Sequence, residues 1–232
     1  MPNHDQIYQN EAERYELLIS REDVSNNILQ TIRKICPDLS ELHAADLGAG
    51  TGRLTTMLAP LIKSIVAIDA AEAMLQVATA KLRGMGAENF AAKAGYHDAM
   101  PLSDHSIDLL TAGWTICYST SSNNADWRDR LERIITEIRR VLRPDGTVII
   151  FENFGTGTEA PNPPDFLTSY YAALEQEYGF EHAAIRTDYQ FESAEEAIAL
   201  TSFFFGDEIS SAVEASGTPT VPEWTGVWWK RF

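Results

Sequence analysis

The chain has 232 residues, 44% of them hydrophobic, and a formal net charge of −16. That length can bury a full α/β core, and the acidity argues against a nucleic-acid backbone or an anionic membrane as partner, favouring a neutral or cationic small molecule. Cys36 and Cys117 stand in different predicted elements and imply no disulfide framework. No apolar run is long enough to span a bilayer, and residues 1–10 have no apolar signal core, so the expected location is cytoplasmic.

Residues 9–35 place Tyr15, Leu17, Leu18, Val24, Ile28, Leu29 and Ile32 at helical intervals, and Pro37 helps end that region. Strands are then expected at 44–47, 64–69, 89–94, 107–113 and 147–151, with helices at 52–59, 71–83 and 125–142. The alternation predicts βαβ units and a parallel sheet. Asp145-Gly146 supplies a turn before the fifth strand. Beyond a Gly/Thr/Pro-rich loop at 155–164, a helix is expected over 165–178 and a strand over 183–191. Ser193-Ala194-Glu195-Glu196 opens a further helix with a capping box. The aromatic run 223–232 reads as the final strand.

The most informative segment is Ala44-Ala45-Asp46-Leu47-Gly48-Ala49-Gly50-Thr51-Gly52-Arg53-Leu54. A short apolar strand runs into glycines spaced G-x-G-x-G, and a helical pattern follows. Glycine lets the backbone turn tightly and approach a ligand with no Cβ in the way, and the helix start aims free N–H groups at that ligand. Asp69 ends the next apolar run, about 20 residues on, where a carboxylate can accept hydrogen bonds from ribose hydroxyls. The pair points to a nucleoside cofactor.

Four runs in order resemble the class I S-adenosylmethionine-dependent methyltransferases. Asp46-Leu47-Gly48-Ala49-Gly50-Thr51-Gly52 resembles their first motif, and Ile68-Asp69-Ala70-Ala71-Glu72-Ala73-Met74-Leu75 the following D-x-S-x-x-M-L pattern. Residues 101–110 resemble P-F-x-D-x-S-F-D-x-V, and Val141-Leu142-Arg143-Pro144-Asp145-Gly146-Thr147 resembles V-L-K-P-G-G-x. The resemblance implies an α/β Rossmann-like sheet of seven strands, parallel with an antiparallel last strand beside strand five, and helices on both faces. It also implies an N-terminal helical cap and a helical insertion before the last strand. One domain is expected, with 1–40 as the cap, 41–153 as the cofactor-binding core and 154–232 as the substrate-side part.

The implied cofactor is S-adenosylmethionine, bound by Asp46, Gly48, Gly50, Gly52, Asp69, Ala70, Met74, Tyr96, His97 and Gly113, with Tyr8 and Tyr15 on an N-terminal lid. Asp69 would take the ribose hydroxyls, Asp46 and the Gly113 carbonyl the ammonium, and Met74 would pack on the adenine. Where the family often reads G-D-A after strand three, this chain reads Gly95-Tyr96-His97-Asp98, which replaces the adenine-holding Asp by Tyr96 or shifts it to Asp98. Trp114, Tyr118, Glu152 and Asn153 are the expected substrate wall, with Glu152 and Asn153 both facing the crevice. The run after strand four is not N/D-P-P-Y, which argues against nucleobase and protein-glutamine substrates. No histidine has metal-ligand spacing with another ligand type, so no metal is expected.

The expected activity is therefore in-line methyl transfer to a small, neutral or cationic organic molecule, with positioning as the main device and no general base identified. The alternatives are a cofactor-binding module or regulator that no longer methylates and, further off, a nicotinamide-dependent oxidoreductase, which would carry G-x-G-x-x-G. The partners expected are a small molecule and, at most, a second copy of the chain as a homodimer, with neither nucleic acid nor membrane.

Overall fold

The computed structural model describes Ile7 and residues 10–232; Tyr8 lies outside the described residues. Two short helices come first, α1 (Ala12–Ile19) and α2 (Asn27–Ile35). The 20–26 segment interrupts the region of helical spacing, with Asp23 and Asn26 both at φ 60°, and leaves Val24 exposed between the two helices. A doubly wound core follows: β1 (His43–Leu47), α3 (Arg53–Leu58), β2 (Ser64–Asp69), α4 (Glu72–Gly84), β3 (Phe90–Ala94) and β4 (Ile107–Gly113). After it come the single turn α5 (Cys117–Thr120), α6 (Trp127–Val141), β5 (Leu142–Thr156), α7 (Asp165–Gln176) and β6 (Glu181–Arg186). The chain ends with β7 (Tyr189–Gln190), α8 (Ala194–Phe204), α9 (Asp207–Ser216), β8 (Thr220–Val221) and β9 (Glu223–Arg231).

Seven strands form one sheet in the order β3-β2-β1-β4-β5-β9-β6. β9 runs antiparallel between β5 and β6, and the other pairings are parallel. The centre of the sheet is buried on both faces, as a helix-covered parallel sheet must be. Along β5, Val148 and Ile150 face a core built with Leu131, Ile134, Ile138 and Tyr170 of α6 and α7. Ile149 and Phe151 face the opposite core, with Ile28 and Ile32 of α2 and Leu54 and Leu58 of α3.

Two further details differ from the sequence reading. The Asp145-Gly146 turn is a bulge within β5: pairing with β4 jumps from Ile107↔Leu142 to Leu109↔Thr147, and Asp145 sits at φ 67°. The expected 183–191 strand is two strands. Asp188 is held by Arg186 (2.7 Å) and accepts from Glu223 N (2.9 Å), which turns the chain out of the main sheet. Tyr189 and Gln190 then pair with Val221 and Thr220 in a separate ribbon. That ribbon, α1, α8 and α9 share a third apolar cluster containing Leu18, Tyr189, Phe191, Leu200 and Val213. This cap lies over the carboxyl ends of the strands. Among the described residues no helix is long and apolar enough to cross a membrane.

Candidate active site

A cavity of about 1040 Å³ opens at the carboxyl ends of β1, β4 and β5, where ligands bind in open α/β sheets. One wall is the glycine loop between β1 and α3. Gly48, Gly50 and Gly52 all have positive φ (65°, 54° and 82°), but they serve different ends. A Cβ at Gly48 would strike Thr115, and one at Gly52 would lie 2.8 Å from the Ala78 Cβ, so both glycines allow close internal packing. A Cβ at Gly50 would meet nothing within 4 Å. Gly50 therefore leaves its open side to a ligand, and Thr51 beside it has a buried hydroxyl with no partner among the described residues.

Two carboxylates set this loop. Asp46 lines the cavity from the end of β1 and accepts from Thr55 Oγ1 (2.6 Å) and Thr111 Oγ1 (3.0 Å). Burial pushes its pKa up to about 6, against the two hydroxyl donors, so the site favours a positive charge near it. Asp69, at the end of β2, accepts from Gly50 N and from Ala71 N, each at 2.8 Å. Each oxygen keeps a second lone pair for a ligand hydroxyl. His97 Nε2 lies 2.8 Å from Thr115 Oγ1, the side chain that rests on Gly48, and burial lowers the His97 pKa.

The cavity brings together Asp46, Gly48, Gly50 and Gly113 of the expected cofactor set, with Tyr15 from α1 above them. Trp114, Tyr118 and Asn153 of the expected substrate set also line it. Gly52, Asp69, Ala70, Met74, Tyr96 and His97 are not on its wall; they continue the glycine-loop face toward β2 and β3. There Met74 is buried and Tyr96 is exposed, while Asp98 turns to Arg133 (3.5 Å).

Glu152 is not on the wall either. Neighbouring residues of a strand point to opposite faces, so only Asn153 reaches the cavity. Glu152 is fully buried in the other core, where Cys117 N (2.9 Å) and Tyr170 Oη (3.4 Å) donate to it and burial raises its pKa to about 7. Trp114 takes φ 51°, a strained position for an aromatic residue, which lays its ring on Phe151 and under the Arg53 guanidinium (4.4 Å).

The far wall was not foreseen. Arg53 Nη1 donates to Glu22 Oε2 (2.6 Å), which also accepts from Tyr189 Oη (2.9 Å). Glu223 Oε1 accepts from Asn153 Nδ2 (3.1 Å). Glu22, Arg53, Tyr189 and Glu223 all line the cavity. Arg53 alone had a local signal, as the residue that follows the last motif glycine. The hydrogen-bonded partners lie up to 167 positions apart in the chain, and no spacing rule links them. Phe166, Phe204, Phe205 and Ile209 complete the apolar part.

Residues 45–150 match the methyltransferase domain family. The malonyl-[acyl-carrier protein] O-methyltransferase of Methylococcus capsulatus is 33% identical over 140 residues, covering 60% of this chain and 46% of that protein. The chain spans less than half the length of the curated relatives it matches. The YcgJ protein of Bacillus subtilis shares the fold at a TM-score of 0.58 and 17% identity, over 88% of this chain and 97% of that one. The [4+2]-cyclase SpnF shares it at 0.57 and 17%, over 88% and 79%. Residues 45–150 thus match a methyltransferase domain, and over that stretch the chain is similar to known methyltransferases.

Proposed function

We propose that this chain transfers the methyl group of S-adenosylmethionine to a small, neutral or cationic organic molecule. The observation that carries this reading is one cavity walled on one side by the glycine loop and on the others by aromatic and polar groups from the variable parts of the chain. Gly50, the unpartnered Thr51 hydroxyl and the Asp46 carboxylate fit a ligand with a polar, positively charged end. The cofactor supplies an activated methyl on a sulfonium leaving group.

The chain's own residues bind, align and exclude water. Asp69 accepts the ribose hydroxyls, with Ala70, Met74, Tyr96 and His97 around the base. Asp46 and the Gly113 carbonyl take the ammonium. Gly48 and Gly52 keep the loop packed, and Tyr15 closes over it from the cap formed by 1–40. Trp114, Tyr118 and Asn153 orient the acceptor, while Glu152 braces Cys117 from below. Alignment of this kind is worth roughly 7–11 kcal/mol of barrier.

Calorimetric titration with S-adenosylmethionine and, separately, NADH tests the cofactor, and release of S-adenosylhomocysteine across a panel of small acceptors tests the reaction. Binding of NADH in place of S-adenosylmethionine would overturn the reading. A second reading, a chain that binds this cofactor but catalyses another rearrangement, rests on the fold shared with the cyclase. Substrate turnover without S-adenosylhomocysteine release would select it.

A further inference from the structure

The far wall of the cavity holds more acceptor capacity than the chain uses. Glu22 and Glu223 are 9% and 2% exposed. Each has one engaged oxygen and one buried oxygen, Glu22 Oε1 and Glu223 Oε2, with no hydrogen-bond partner among the described residues. Burial, and after it the Glu22 charge, raises the Glu223 pKa well above the usual range, against a hydrogen bond from Thr156. The other charges acting on Glu223 are Arg53 and Asp188. Arg53, the one cation among these groups, is committed to Glu22 and to the Trp114 ring. Its Nη2 is a single unpartnered donor against two unpartnered carboxylate oxygens. An unsatisfied buried carboxylate is costly, and these two line a cavity with aromatic walls. A ligand group that supplies several N–H donors and a positive charge would relieve both, with aromatic faces adding cation–π attraction.

We propose that Glu223, with Glu22, forms a specificity-determining site for a protonated amine on the methyl-accepting substrate, which rests on the methyl-transfer reading above. Glu223 enters from the start of β9 and Glu22 from the segment after α1, so the amine is read by the cap side and the glycine loop is left to the cofactor. The site selects by charge, since a neutral alcohol supplies one donor where the ammonium supplies three. An anion would supply no N–H donor to either group.

The test uses the chain with S-adenosylhomocysteine added, titrated with three probes of one shape and three charges: phenethylamine, phenethyl alcohol and hydrocinnamate. The ammonium is expected to bind roughly ten- to hundredfold more tightly than the alcohol, as a charged hydrogen bond warrants, with the carboxylate weakest. Glu223→Gln keeps the side chain's shape and removes the charge that Glu223 takes up beside an ammonium, and it should bring amine and alcohol to similar affinity while S-adenosylhomocysteine binding stays as in the parent chain. If that variant does not fold, by circular dichroism, the charge ranking of the parent chain still decides. Equal binding of amine and alcohol, binding of neither, or an amine preference that survives in Glu223→Gln would each overturn the proposal and leave the two oxygens to ordered water. Failure of S-adenosylhomocysteine to bind would strike the methyl-transfer reading instead, and the amine preference would still be measured without it.

Discussion

On the glycine-loop side of the cavity, both acidic groups are satisfied from within the fold: Asp46 by two threonine hydroxyls and Asp69 by two backbone N–H groups. On the cap side, Glu22 and Glu223 each keep a buried oxygen without a partner. The first arrangement is preorganised, so a ligand there adds to groups already held in place, as rigid binding sites require. The second is polar capacity held inside an apolar shell. That is costly for stability and informative about what the shell is built to receive.

The sharpest way to break the contrast is Arg53→Ala. It strips the paired cation from Glu22, whose side chain is 3% exposed, and breaking a buried pair on one side costs about 3–5 kcal/mol. Thermal denaturation should register a large loss, because the same residue joins the cap to the start of α3. Asp69→Ala acts on the other half. Two hydrogen bonds to a charged acceptor are lost, so S-adenosylmethionine affinity should fall by about two orders of magnitude in calorimetry. An unchanged affinity would remove Asp69 from the site.

Proton linkage separates the halves more finely. Asp46 has a folded-state pKa of about 6, above its ordinary 3.8. The folded chain therefore holds this proton more tightly than the unfolded chain. Its part of the stability rises as pH falls from about 7 to about 4, by roughly 2 kcal/mol. Asp46→Asn should flatten that portion of the stability–pH curve, read by denaturant melts at each pH. The smallest effect belongs to the cap's own helix. Ser193 Oγ accepts from Glu196 N (3.2 Å) at the start of α8, and Ser193→Ala should cost about 1 kcal/mol while leaving cofactor binding unchanged.

The resemblance and the periodicities made the sheet legible because its information is local. Central parallel strands are short apolar runs, the glycines sit next to the strand they end, and β9 declares itself by its aromatic content. The capping box at Ser193 is likewise written in four consecutive residues, although the Glu196 carboxylate accepts from Glu192 N (2.7 Å) and not from Ser193 N. Legibility failed where one residue of shift changes the answer. Glu152 and Asn153 are adjacent, and strand parity sends one to the core and the other to the cavity. It failed again at 183–191, where the run of strand-forming residues gives no sign of the Asp188 contacts that turn the chain into a second ribbon.

What the amino-acid sequence determined by itself was the doubly wound sheet, the loop that ends β1 and the acidic group that ends β2, since each depends on neighbours within a few residues or on a fixed spacing. The tertiary structure alone decided the far wall. Glu22, Arg53, Tyr189 and Glu223 come from four separate elements, and only the folding of α1, the β7–β8 ribbon and β9 onto the glycine loop brings them to one cavity. Burial then gives these groups their character: a carboxylate exposed in the unfolded chain becomes, inside the cap, an acceptor in need of a charged partner.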